Sequence, residues 1–131
     1  MSHVKTVQSI YDAFGKGDVP TILGHLAENI EWEYGIVSTN VPWLQPRRGR
    51  AEVPRFFQAL ADFEIQKFEL KTLLESGDVV VALIDLEGTV RSTKSRVVEE
   101  DEAHIWHFDA EGKVRRFRHR ADTFQHWLAS Y

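Results

Sequence analysis

The sequence predicts a single α+β domain, and three observations carry that prediction. Apolar residues recur at helical spacing over residues 4–26 and again over 53–60. Elsewhere they alternate with polar ones, as a half-buried strand requires. Turn residues separate the segments, so the order reads ααβαββββ with a short C-terminal helix. Helices grouped against a mixed or mainly antiparallel sheet make an α+β fold. At 131 residues the chain fits one domain, residues 1–131.

The first helix is expected from about Val4 to Phe14, with Val4, Val7, Ile10, Tyr11 and Phe14 on one stripe. Gly15-Lys16-Gly17 ends it, and Asp18 caps a second helix that tolerates Pro20 in its first turn. Ile30, Trp32, Tyr34 and Ile36 alternate with Glu31, Glu33 and Gly35, which predicts a strand. Residues 37–50 read as a loop, and a third helix follows with Val53, Phe56, Phe57 and Leu60 apolar. Strands are then expected at about 64–75, 79–86, 96–108 and 113–122, and the second of these, apolar on both faces, as a covered central strand. Asp122-Thr123 opens the last helix, which carries Phe124, Trp127 and Leu128.

The final hairpin decides which side chains share a face. Asp109 suits the first position of a type I turn and Gly112 the left-handed position after it. Counting back from Asp109 opposite Lys113 sets Phe108 against Val114, Trp106 against Arg116, His104 against Arg118 and Glu102 against Arg120. One face then carries Glu102, His104, Trp106, Phe108, Arg118, Arg120 and Asp122. The other carries Ala103, Ile105, His107, Phe117, His119 and Ala121. A one-residue slip would exchange the pairings. The first face, richer in ionisable groups, suits a pocket; the second suits a subunit interface.

Composition narrows the function classes. Hydrophobic residues are 43% and charged residues 27%, as in a globular protein. Without cysteine there is no disulfide, thiolate metal site or cysteine nucleophile, which fits a reducing cytoplasm. No apolar run reaches the ~20 residues of a membrane span, and the N-terminus lacks a signal-sequence pattern. A net charge of −4 argues against a nucleic-acid-binding face. The Arg47-Arg48-Gly49-Arg50 cluster is too short to change that, and reads as a solvated loop or a clamp for an anionic substrate.

The candidate site residues each have a structural alternative. Asp122 is an acid/base or a helix cap. His104 donates to a ligand oxygen or sits satisfied against Arg118. Arg118 and Arg120 bind a ligand carboxylate or enolate, or Arg120 pairs across strands with Glu102. Trp32, Tyr34 and Trp106 form an aromatic pocket wall or ordinary core. Glu99-Glu100-Asp101-Glu102 reads as a solvated strand start. His104 and His107, three apart on a strand, point to opposite faces, so no metal site is expected there.

Several pieces in order resemble the SnoaL-like domains, which share a superfamily with ketosteroid isomerase and nuclear transport factor. They are Tyr11-Asp12-Ala13-Phe14-Gly15-Lys16-Gly17-Asp18, Ile30-Glu31-Trp32, Ala103-His104-Ile105-Trp106-His107-Phe108, Gly112-Lys113-Val114, and Phe117-Arg118 through Asp122-Thr123. The resemblance implies a cone, in which a strongly bent sheet wraps the helices around a deep pocket. It also implies homodimers formed through the outer sheet face. Asp122 stands where SnoaL-like polyketide cyclases carry their acid/base. Tyr34 replaces the aspartate base of the isomerases, and His104 replaces their protonated aspartate. Tyr11 is the candidate for their hydrogen-bonding tyrosine, with spacing one residue short. Steroid isomerisation by the usual residues is therefore not expected. The implied function is cofactor-independent proton transfer on a small, apolar, oxygenated molecule, an isomerisation, cyclisation or dehydration. Asp122, His104 and Arg118 are its catalytic candidates, and Trp32, Tyr34, Trp106, Arg120 and Tyr11 its binding candidates. The alternative is a non-catalytic binding or dimerisation module of the same fold.

Overall fold

The computed structural model describes residues 2–33 and 41–131. Helix α1, His3–Gly15, starts where the Ser2 hydroxyl accepts from the Lys5 N–H, and it buries Val7, Ile10 and Ala13. Asp18 caps α2, Val19–Gly24, by accepting from the Thr21 N–H. Strand β1 is Leu26–Trp32 and begins four residues before the alternation at Ile30 suggests. The expected loop contains a two-residue strand β2, Arg47–Arg48, between 3₁₀ turns at Pro42–Leu44 and Arg50–Glu52. Next come α3, Pro54–Leu60, and four strands: β3, Phe63–Ser76; β4, Val79–Val90; β5, Arg96–Phe108; and β6, Val114–Arg120. Helix α4, Thr123–Ala129, closes the chain.

The six strands form one curved sheet in the order β2-β1-β6-β5-β4-β3. All neighbours are antiparallel except β1 and β6, which run parallel. The α+β architecture is thus the one the sequence predicts. One apolar cluster packs α1 and α2 against β1, β5 and β6. A second lies beneath residues 41–44, where Val41, Trp43 and Leu44 meet Phe63, Val90, Val97 and Ala129.

The hairpin turn forms as expected. The Asp109 N–H donates to the Lys113 carbonyl, and Gly112 takes φ +79°. One residue later the register departs from expectation. Phe108 pairs with Val114, but His107 pairs with Arg116, so Arg115 is an extra residue on β6. Such a bulge puts two residues opposite one and reverses the facing of everything beyond it. His104 therefore lies opposite His119 and Trp106 opposite Phe117, while Arg118 lies opposite Ile105 and Arg120 opposite Ala103. Phe117 and His119 join the buried inner face, and the arginines move to the other side. That outer side carries the row Leu74, Val81, Ile105, Arg118 across β3 to β6.

Candidate active site

The inner face of β5 and β6, helices α1 and α3, and α4 surround an aromatic cavity. It holds about 720 Å³ of open space, mouth included. Tyr11 reaches it from α1. Glu102, His104 and Trp106 reach it from alternate positions of β5, and His119 from β6. Three histidines at its wall each pair with a carboxylate.

In the first pair, His104 Nε2 lies 2.6 Å from Glu102 Oε2, and His104 Nδ1 lies 2.6 Å from the Tyr11 hydroxyl. That hydroxyl also accepts from the Trp106 indole N–H at 3.1 Å. Burial pushes the Glu102 carboxyl up, but the hydrogen bond from His104, with the charge that His104, His119 and His126 carry when protonated, outweighs it and holds it below its usual range. As an anion Glu102 accepts the Nε2 hydrogen, which leaves Nδ1 of a neutral imidazole to accept from Tyr11. Burial raises the Tyr11 phenol well above its ordinary value, despite the hydrogen bond from Trp106. Tyr11 is therefore an O–H donor and not a phenolate base. Protonating His104 at Nδ1 reverses this bond and frees the Tyr11 hydrogen for a ligand oxygen. The four groups make a relay whose direction follows the proton on His104.

In the second pair, His119 Nδ1 lies 2.7 Å from Glu33 Oε1, and the His119 backbone N–H donates to the same oxygen at 2.9 Å. Burial lowers the imidazole's proton affinity, but Glu33's charge and hydrogen bond, aided by Glu102 and Glu99, hold its pKa up at about 9. His119 is thus a buried cation at neutral pH, with its ring centroid 5.8 Å from that of His104. Glu33 is fully buried, and its Oε2 has no hydrogen-bond partner among the described residues.

In the third pair, His126 Nε2 lies 3.1 Å from Glu99 Oε1, while the Trp43 indole N–H donates to His126 Nδ1 at 2.9 Å. An indole nitrogen only donates, so Nδ1 must accept and the ring hydrogen sits on Nε2. Glu99, Glu102 and His126 bring one ligand-type atom each within 4.8 Å of one another. A metal at His126 Nε2 would displace that hydrogen and turn Nδ1 into a donor facing the Trp43 N–H. The cluster's geometry suits hydrogen bonding better than metal ligation.

Of the sequence candidates, the structure brings Tyr11, Trp32, His104 and Trp106 to one cavity. Tyr34 lies outside the described residues. The expected meeting of Asp122 and Arg118 with His104 does not occur. The exposed Asp122 caps α4 by accepting from the Gln125 N–H at 3.1 Å, and its own N–H donates to Glu99. The bulge at Arg115 carries half-buried Arg118 and exposed Arg120 to the outer face. The acidic run is not a solvated strand start throughout, because Glu99 and Glu102 are buried against histidines. The Arg47–Arg50 cluster ties its loop to β1. Arg50 donates to the Leu26 carbonyl, Arg48 lies 4.0 Å from Glu31, and Arg47 donates to the Gln45 and Pro42 carbonyls. Glu33, Trp43, Glu99, His119 and His126 are the groups that sequence reasoning does not assign to the site, and it places Glu102 on the pocket face only as a partner for Arg120.

Comparison with known proteins agrees with this fold. The SnoaL-like domain model matches residues 7–117. A nuclear-transport-factor-like protein from Burkholderia xenovorans is 25% identical, with a TM-score of 0.85 over 98% of this chain and 95% of that one. One from Burkholderia thailandensis is 27% identical, with a TM-score of 0.82 over 100% and 98%. TerC, solved with polyporic acid, shares the fold at 19% identity, with a TM-score of 0.73 over 97% and 96%. No curated protein matches. The chain belongs to the SnoaL-like family.

Proposed function

We propose that the cavity binds a small, mainly apolar, oxygenated molecule and moves a proton on it without a cofactor, in an isomerisation, cyclisation or dehydration. The observation that carries this reading is the Glu102–His104–Tyr11–Trp106 relay in an aromatic cavity. Neutral His104, oriented by Glu102, takes the Tyr11 hydrogen at Nδ1 as the Tyr11 oxygen takes the substrate proton. The resulting imidazolium donates to Tyr11, and the freed Tyr11 O–H donates to the developing oxyanion. The His119 cation, its ring 5.8 Å from that of His104 on the same cavity wall, adds electrostatic stabilisation of the oxyanion. Trp32 and Trp106 hold the apolar part of the ligand. Asp122, Arg118 and Arg120 have no part in this scheme. TerC was crystallised with a small molecule, polyporic acid, which supports a ligand in this fold.

The same cavity supports a second reading, a binding module without chemistry. The observation in its favour is that each of the three histidines already has a carboxylate partner. A thermal-shift screen of bicyclic ketones and phenols, followed by assays of His104→Ala and Tyr11→Phe, separates the two. Catalysis predicts a product whose formation falls at least 10²-fold in His104→Ala, within the usual span of acid–base contributions. Ligands that bind and are released unchanged would leave only the binding module.

We also infer a homodimer through the outer sheet face, in the cytoplasmic setting that the lack of cysteine suits. Leu74 is 57% exposed there, beside Val81, Leu83 and Ile105. Of the residues expected at that interface, Ile105 remains on the outer face, whereas Phe117 and His119 have turned inward.

A further inference from the structure

The main cavity adjoins a second depression. It encloses about 580 Å³, open side included, between the α1–α2 turn and the C-terminal end of α3. Phe14, Ile22, Phe57, Leu60 and Ile65 line both spaces. The boundary between the two is therefore built from these apolar side chains. The remaining wall of the outer space is Gly17, Val19 and Ala61, so no side chain around it forms a hydrogen bond or carries a charge.

A row of rings connects this vestibule to the relay. Tyr11 and Phe68 have centroids 5.9 Å apart, Phe68 and Phe14 5.3 Å, and Phe14 and Phe57 6.4 Å. Phe14 follows Tyr11 by three residues on the same helix face, ~4.5 Å farther along the axis. All four rings line the main cavity, so one ligand can lie along this row with one end at the Tyr11 hydroxyl and the other against Phe14 and Phe57, where the two spaces meet.

We propose that the vestibule is a second binding subsite, taking the hydrocarbon tail of the ligand whose oxygenated head meets Tyr11 and His104. The substrate class is then an elongated amphipathic molecule with its oxygen function at one end and an apolar remainder. A polar tail gains less there, because the groups pressed against this wall lose water and find no side-chain partner in it. This inference rests on the pocket reading given above and adds the shape of the substrate.

Isothermal titration of the full chain with 4-alkylphenols, from 4-methylphenol to 4-octylphenol, tests it. Each buried methylene contributes ~0.8 kcal/mol, so affinity should rise about fourfold per added carbon while the tail fills the vestibule. Ala61→Trp, or Val19→Trp if the first variant melts early, should cut the octyl-to-methyl affinity ratio at least tenfold. A wild-type series that stops rising after the first few carbons would overturn the subsite. So would a ratio unchanged in both variants while they melt cooperatively. If 4-methylphenol binding depends on His104, as judged by His104→Ala, and the series is still flat, only the subsite falls. If no phenol binds, or His104→Ala binds 4-methylphenol as tightly as wild type, the pocket reading falls and the subsite with it.

Discussion

The His119–Glu33 pair should make folding stability depend on pH in a window where few other groups titrate. His119 has an ordinary value of 6.5 and is held at about 9 in the folded chain. A folded value above the unfolded one stabilises the native state fully below pH 6.5, and that contribution is lost as pH rises through 9. At 1.36 kcal/mol per pH unit the difference amounts to about 3 kcal/mol. A domain of this size has only ~5–15 kcal/mol in total. Melting temperature should fall by roughly 10 °C between pH 6 and pH 9.5. His25 and His107 do not confuse the window. Burial lowers both, helped by Lys113 for His25 and by Arg115, Arg116 and Arg118 for His107, so they titrate below it. Urea unfolding of wild type and Glu33→Gln at half-unit pH steps is the assay. The variant should be about 3 kcal/mol less stable than wild type at pH 6, with the gap closing above pH 9. Parallel profiles for the two proteins across the window would refute the buried ion pair.

Other outcomes follow from single contacts. Asp122→Ala should lose the α4 cap and about 1 kcal/mol of stability, whereas Asp122→Asn should retain ligand turnover, as measured by melting and by rate. A Cβ at Gly88 would overlap the Phe63 ring, so Gly88→Ala should destabilise by roughly 1–3 kcal/mol in urea unfolding. Trp43→Phe removes the only donor described at His126 Nδ1. It should cost about 1–3 kcal/mol for the unpaired buried nitrogen, read by the same unfolding experiment. Ile105→Lys on the outer face should convert a dimeric sedimentation mass to that of one chain, and a wild-type mass of one chain would remove the proposed interface.

The fold was legible because helical and strand periods differ and because this chain keeps each period cleanly. Ser2 and Asp18 capping, the Asp109–Gly112 turn and the β4 alternation all follow local rules. The site was less legible because three local departures reverse the facing of its side chains. The bulge at Arg115 carries His119 inward and Arg118 outward, and nothing in Val114-Arg115-Arg116 signals an extra residue. Glu33 takes φ +58°, which breaks the alternation that would have kept it on the solvent side. The acidic run at 99–102 is interrupted by Asp101 at φ +58°, and Glu99 and Glu102 both turn in. The third pair also needs tertiary information, since Trp43 meets His126 across 83 residues. One signal was present throughout. Six histidines and twenty acidic residues in a cysteine-free chain allow buried imidazole–carboxylate pairs, and the pattern Glu102-x-His104 places two such groups on one strand face.

The most direct test of the proposed chemistry is proton exchange on a bound carbon acid. Wild type and His104→Ala are incubated with 2-tetralone in D₂O, and deuterium entering the ketone's α-position is followed by mass spectrometry. The relay predicts exchange above the buffer rate for wild type and a loss of about 10²–10⁴-fold in His104→Ala. Exchange equal in the two proteins, or no exchange while 2-tetralone is shown to occupy the cavity, would contradict it.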